Sequence, residues 1–154
     1  MSRAFVKESS GEGALTLPDR SISPHPNYVT PEGLRAIEAE LARSRRELAV
    51  AQASDDGDAV ARTARDLRYW MARRATAQVI EPPADAETVH FGSTFTIARG
   101  DGRRQTFRIV GEDEADPARG TIPYVAPLAR ALAGRAAGET AQIGGEEVEI
   151  VAIR

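Results

Sequence analysis

Apolar residues fall into two different spacings along the chain. Between positions 34 and 51 they recur three and four apart, at Leu34, Ile37, Leu41, Leu48 and Ala51, with Ser44 in the remaining slot. That spacing predicts one narrow helical stripe of the heptad kind. Thr30-Pro31-Glu32 opens it with a capping hydroxyl, a proline at the first helical position and a carboxylate near the positive end of the helix dipole. A second periodic run follows at Val60, Ala64, Leu67, Met71 and Gln78, widened by Trp70 and Ala75. Between them, Ser54-Asp55-Asp56-Gly57-Asp58 has the chemistry of a tight turn. Two helices of about 20 residues, each about 30 Å long, joined by so short a turn must run antiparallel. The pattern therefore predicts a coiled-coil hairpin.

Glu81-Pro82-Pro83 should end the second helix, because proline cannot continue it and restricts its predecessor. Beyond it the period changes to two, with strand-like alternation over residues 89–97, 104–111 and 148–153. Gly100-Asp101-Gly102 and Gly144-Gly145 suit hairpin turns, and residues 127–133 form a short helix stopped by Gly134. The fold class is α+β: a helical hairpin, then a small domain with an antiparallel sheet and one helix. Residues 1–27, rich in Ser, Gly and Pro, cannot build a core and read as an extended tail or an arm over a neighbouring surface. The predicted division is 1–27 tail, 28–80 hairpin and 81–154 C-terminal domain.

Composition narrows the chemistry. The 154 residues include no cysteine and two histidines, which removes disulfide frameworks, thiolate metal sites and thiol catalysis. No run approaches the roughly 20 apolar residues of a membrane span, and the first residues lack a signal peptide's apolar run. The expectation is a cytoplasmic protein with no membrane partner. His25 and His90 have no metal-ligand spacing, and no phosphate-binding glycine motif occurs. The net charge of −3 is an average over unlike parts. The tail balances, the hairpin has nine basic against eight acidic residues, and the remainder has eight against twelve. Carboxylates are left as the plausible chemical groups.

Tyr28-Val-Thr-Pro-Glu-Gly-Leu34, Val89-His-Phe-Gly92, the run Ile109-Val-Gly-Glu-Asp-Glu-Ala-Asp116 and Pro127-Leu-Ala-Arg-Ala-Leu132 together resemble the Gre family of bacterial transcript-cleavage factors. The likeness covers about residues 28–154. It implies that the C-terminal domain has the FK506-binding-protein fold and docks on the rim of the RNA polymerase secondary channel. The hairpin would point into that channel, and nascent RNA would be met only at its 3′ end within the complex. The factor would be a monomer and no enzyme itself; at most it would stimulate the polymerase's own RNA cleavage. The tip departs from the family. Gre hairpins are several turns longer and carry an Asp and a Glu three residues apart in a Gly-Asp-Leu-Ser-Glu-Asn type of motif, whereas here Asp55 and Asp58 keep the spacing with Asp56 between them.

On the resemblance, Asp55, Asp56 and Asp58 are the candidate catalytic carboxylates, and Asp55 and Asp58 would share a second Mg²⁺ with the polymerase, as hard oxygen ligands do. The bland alternative has Asp58 capping the second helix while the other two solvate a turn. Arg62, Arg65 and Arg68 are candidates for a face toward nucleic acid or the channel, against an ordinary solvated helix face. Glu112, Asp113, Glu114 and Asp116, with Arg130, are the candidate docking residues, against a solvated loop. Three other functions stay open: a short-hairpin factor that occupies the channel entrance without cleavage, a peptidyl-prolyl isomerase, and a coiled-coil self-association module.

Overall fold

A computed structural model describes residues 17–84 and 86–154; the part of the predicted tail before Leu17 lies outside the described residues. In chain order it contains β1 (Tyr28–Val29), α1 (Pro31–Ala53), α2 (Gly57–Thr76), β2 (Gln78–Val79), β3 (Thr94–Arg99), β4 (Arg104–Val110), β5 (Thr121–Pro123), α3 (Pro127–Leu132), β6 (Thr140–Ile143) and β7 (Glu146–Ile153). A single 3-10 turn, Pro117–Arg119, precedes β5. The chain is mixed α+β, with two helices followed by a sheet. The described residues divide into two compact units, 17–26 with Arg35–Thr76, and Asn27–Leu34 with Ala77–Arg154. No helix among the described residues is long and apolar enough to cross a membrane.

In the first unit α1 and α2 run antiparallel, since Glu38 near the start of α1 meets Arg74 near the end of α2 at 3.0 Å. The α1 stripe buries Ile37, Ser44 and Ala51 with Leu41 and Leu48 partly covered, as its spacing predicts. The α2 stripe is turned from its predicted phase. Ala61 and Arg73 are the buried positions, while Met71 is 50% exposed and Ala75 is also exposed. Small side chains at Ser44, Ala51 and Ala61 occupy the buried line, so the bulkier Val60, Leu67 and Trp70 lie on its flanks, half-buried. The helix also ends earlier, at Thr76. Gln78, predicted to lie on the stripe, instead belongs to β2, which pairs in parallel with β1 through Tyr28↔Gln78 and Val29↔Val79. Backbone pairing there, through Gln78 N–H to Asn27 O and Ile80 N–H to Val29 O, both at 2.9 Å, takes over from the helix before the prolines are reached.

The second unit holds a five-stranded sheet in the order β5-β4-β3-β7-β6. It is not wholly antiparallel as expected: β4 and β5 pair in parallel, with Ile109 opposite Ile122, because residues 111–120 cross back before β5 begins. The short strands β5 and β6 carry too few alternating residues to stand out in the sequence. Alternation places Phe95 and Ile97 of β3 and Val148 and Ile150 of β7 on one face, where Ile109, Ile122 and Val89 complete a core covered by Ala129 and Leu132 of α3. Gly144 and Gly145 both take positive φ, at 59° and 81°, which a two-residue turn between β6 and β7 requires.

Candidate functional site

The α1–α2 turn is built from two interlocked caps. Asp55 N–H donates to Gln52 O and Asp56 N–H to Ala51 O, both at 3.3 Å, which is the paired closure of a helix C-terminus. It requires a left-handed residue, and Asp55 takes that role with φ of 53° where glycine is usual. Asp56 at once caps α2: its Oδ1 accepts from Ala59 N–H at 3.1 Å and its carbonyl from Val60 N–H at 2.9 Å. The cap predicted at Asp58 therefore falls on Asp56, two residues earlier, and Asp58 sits in the first turn of α2. All three side chains are exposed. Asp55 and Asp58 make no side-chain hydrogen bond among the described residues, while one oxygen of Asp56 is spent on the cap. Among the described residues no group of three His, Cys, Asp or Glu converges as metal ligands would. Two free exposed carboxylates are nevertheless the donor set from which Mg²⁺ is held when phosphate and water fill its remaining positions. Beside the turn, an open cleft of about 390 Å³ is lined by Arg46, Val50, Ala51, Ala59 and Thr63 among others, and Val50 is 65% exposed.

The predicted docking acids have unlike surroundings. Glu114 is partly buried, and the Thr30 hydroxyl lies 2.6 and 2.7 Å from its two carboxylate oxygens. Thr30, fully buried, accepts from Gly33 N–H at 2.9 Å, so the predicted cap is present and Glu114 completes it. At Gly33 a Cβ would collide with Glu114 Oε2, the end of the side chain that Thr30 fastens. Gly111 is required more strictly, since its Cβ would strike a backbone atom, the Tyr28 carbonyl oxygen. Asp116 caps the 3-10 turn, accepting from Ala118 N–H at 3.2 Å, and its own N–H donates to Thr121 Oγ1 at 2.7 Å. Glu112 and Asp113 are half-buried, and Arg130 is exposed on α3 next to buried Ala129. Nearby, Glu32 lies 3.5 Å from Arg108. The Glu32 backbone N–H, and after it the Arg108 cation, hold its carboxyl below the usual carboxylate range, against the opposing effect of burial.

The three predicted arginines also differ. Arg62 is exposed, Arg65 buries its Nε without a hydrogen-bond partner, and Arg68 donates to Asp19 Oδ1 at 2.6 Å. Sequence reasoning missed Thr30–Glu114 and Asp19–Arg68 because their partners are 84 and 49 residues apart and no local pattern links them.

A family model for the C-terminal domain of the transcription elongation factors GreA/GreB matches residues 84–154. The transcription elongation factor GreB of Neisseria meningitidis serogroup A is 34% identical over 151 positions, taking in 82% of this chain and 93% of that protein. The chain belongs to the GreA/GreB family of transcription elongation factors. GreA of Desulfovibrio desulfuricans is 31% identical over 75% of this chain and 83% of its own. Among solved structures, GreA factor homolog 1 (Gfh1) of Thermus thermophilus aligns over 84% of this chain and 99% of its own, with 20% identity and a TM-score of 0.41. A GreA/GreB factor from Nitrosomonas europaea aligns over 84% and 98%, again with 20% identity and a TM-score of 0.41.

Proposed function

We propose that this Gre-family factor binds bacterial RNA polymerase, docking its FK506-binding-protein-like second unit on the rim of the secondary channel and inserting α1 and α2 as a coiled-coil hairpin. At the tip, Asp55 and Asp58 reach toward backtracked RNA and stimulate the polymerase's own cleavage. The observation that carries this reading is the exposed Asp55-x-x-Asp58 turn, whose two outer carboxylates are left free by a cap that uses only Asp56. Asp55 and Asp58 would hold a second Mg²⁺ together with the polymerase, and that ion supplies charge neutralisation at the scissile phosphate and an activated water. The protein's own part is to present two carboxylates on a rigid turn. Membrane contact has no role in this reading, and the factor acts as a cytoplasmic monomer.

A second reading, channel occupancy without cleavage, is favoured by one observation. The 151 positions aligned with the Neisseria GreB take in 82% of 154 residues, about 126, so about 25 positions have no counterpart here. Were those positions divided equally between the two helices, each would be shorter by about 19 Å at 1.5 Å per residue. Stalled elongation complexes separate the readings. Wild type should release short 3′ RNA fragments, and Asp55→Asn/Asp58→Asn should lose that activity while still binding polymerase. If wild type releases none yet displaces a GreB factor from polymerase, the cleavage reading is overturned and occupancy stands.

A further inference from the structure

Residues 17–26 carry no helix or strand, yet side-chain contacts hold them against α2. Asp19 accepts from Arg68 Nε at 2.6 Å, and the Leu17 carbonyl oxygen accepts from Arg68 Nη2 at 3.4 Å. The Arg20 guanidinium stands 3.8 Å from the Tyr69 ring centroid and 5.7 Å from that of Trp70, and donates to Asp66 at 3.3 Å. These pairs are open to water: the Asp19 and Arg68 side chains are 72% and 48% exposed, those of Arg20 and Asp66 38% and 40%. Little apolar surface is sealed beneath. Ile22 remains 50% exposed, and a gap of about 130 Å³ persists between the segment and Arg68, Tyr69 and Ala72. Attachment of this kind is electrostatic and screened by salt.

We propose that residues 17–26 are a detachable strap, in which Asp19 occupies Arg68 and so withholds the arginine side of α2 from a single-stranded nucleic acid. The ligand follows from the side of α2 that the strap reaches at Arg68, Tyr69 and Trp70. Arg62, Arg65 and Arg68 recur every three residues, which sets them along one side of the helix, and Tyr69 and Trp70 adjoin the last of them. Cations beside aromatic rings suit a phosphodiester strand, through charge and base stacking. Only this choice of ligand deepens the polymerase reading; the strap itself does not depend on it. An exposed ion pair shifts the docked-to-free ratio by a factor of about 1.5 to 5, and a guanidinium stacked on a ring contributes a similar factor. Two pairs and one stack together raise that ratio by a factor of roughly 3 to 100 over a chain without them, and a strand that needs Arg68 competes against the docking that results.

Trp70 is the only tryptophan, so its emission reports strap docking in the full-length chain without polymerase. Wild-type emission should move with added salt, and Arg20→Gln at low salt should already show the high-salt spectrum. Asp19→Asn should bind a single-stranded RNA of about a dozen nucleotides about 2- to 5-fold more tightly than wild type, a gain that adding Arg68→Gln abolishes. Should Arg20→Gln lower the helical signal itself, Asp19→Asn, which leaves the Arg20 stack in place, decides the matter. Emission indifferent to salt overturns the strap. RNA affinity equal in Asp19→Asn and wild type overturns its role as a competitor. A failure of the polymerase reading would alter neither measurement.

Discussion

Replacing a helical glycine with alanine ordinarily stabilises a protein by about 0.5–1 kcal/mol. Gly33 → Ala should do the reverse. Its φ lies outside the left-handed region, so the backbone accepts alanine, but the new Cβ collides with Glu114 Oε2 and stands 3.0 Å from Glu114 Cδ and 3.4 Å from Thr30 Oγ1. A carboxylate at the end of a free side chain would swing away at little cost. This one is fastened by the Thr30 hydroxyl at 2.6 and 2.7 Å. Moving it gives up a hydrogen bond to a charged group, worth about 1.5–3 kcal/mol, and strands a hydroxyl on a fully buried residue. The net cost of Gly33→Ala is then about 1–2 kcal/mol. In a Glu114→Ala background the obstacle is gone, and the same substitution should stabilise by about 0.5–1 kcal/mol. The coupling between the two sites is about 2 kcal/mol. Native-state amide exchange across β3 and β4 reads the stability of this unit by itself. If Gly33→Ala stabilises equally in both backgrounds, Glu114 is not fastened and its assignment as a structural partner of the cap is wrong.

Asp56→Ala should lower stability by about 1 kcal/mol through loss of the α2 cap, and Asp58→Ala should stay within about 0.5 kcal/mol of wild type; equal losses in thermal melts would contradict the assignment of the cap to Asp56. Because the Glu32 carboxyl is depressed from its ordinary 4.5, its contribution to stability is present above that value and is lost as the pH falls through the lower folded one. In Arg108→Gln an NMR titration of Glu32 should still show a depressed carboxyl, since its own backbone N–H is the largest single cause; a return to the ordinary value would refute that ordering.

What could be read from the sequence was what local spacing determines. The α1 stripe, the Thr30 cap, the Gly144-Gly145 turn and the short α3 all follow from residues within one turn or one hairpin of each other. Phase failed on α2, where alanine and arginine are so frequent that several stripes fit equally well, and the buried line passes through Ala61 and Arg73 rather than through Met71. The parallel β1–β2 and β4–β5 pairs were missed because strands of two or three residues have no period to detect. At the tip the tight turn was legible, but the helix cap falls on Asp56 and not on Asp58. The acidic run 112–116 looked uniform in sequence, yet Glu114 and Asp116 are committed to caps by Thr30 and by the turn before β5.

The tip aspartates have to be weighed one at a time, because a three-residue corner between two helices already asks for some of them. Asp56 answers two such demands, closing α1 and capping α2, so its presence says nothing about chemistry. Asp58 answers none beyond a favourable place near the positive end of the α2 dipole, which glutamate or serine would fill nearly as well. Asp55 is less favourable in its place than glycine, although Asp tolerates the left-handed region better than most side chains. A left-handed φ of 53° favours glycine, so folding stability alone gives no reason for a carboxylate there. The two positions that stability does not require are also the two whose carboxylates are free, and they keep a spacing of three. A corner selected for stability alone would carry Gly at 55 and any good first-turn residue at 58. Any chemistry at the tip would therefore fall to Asp55 and Asp58 together.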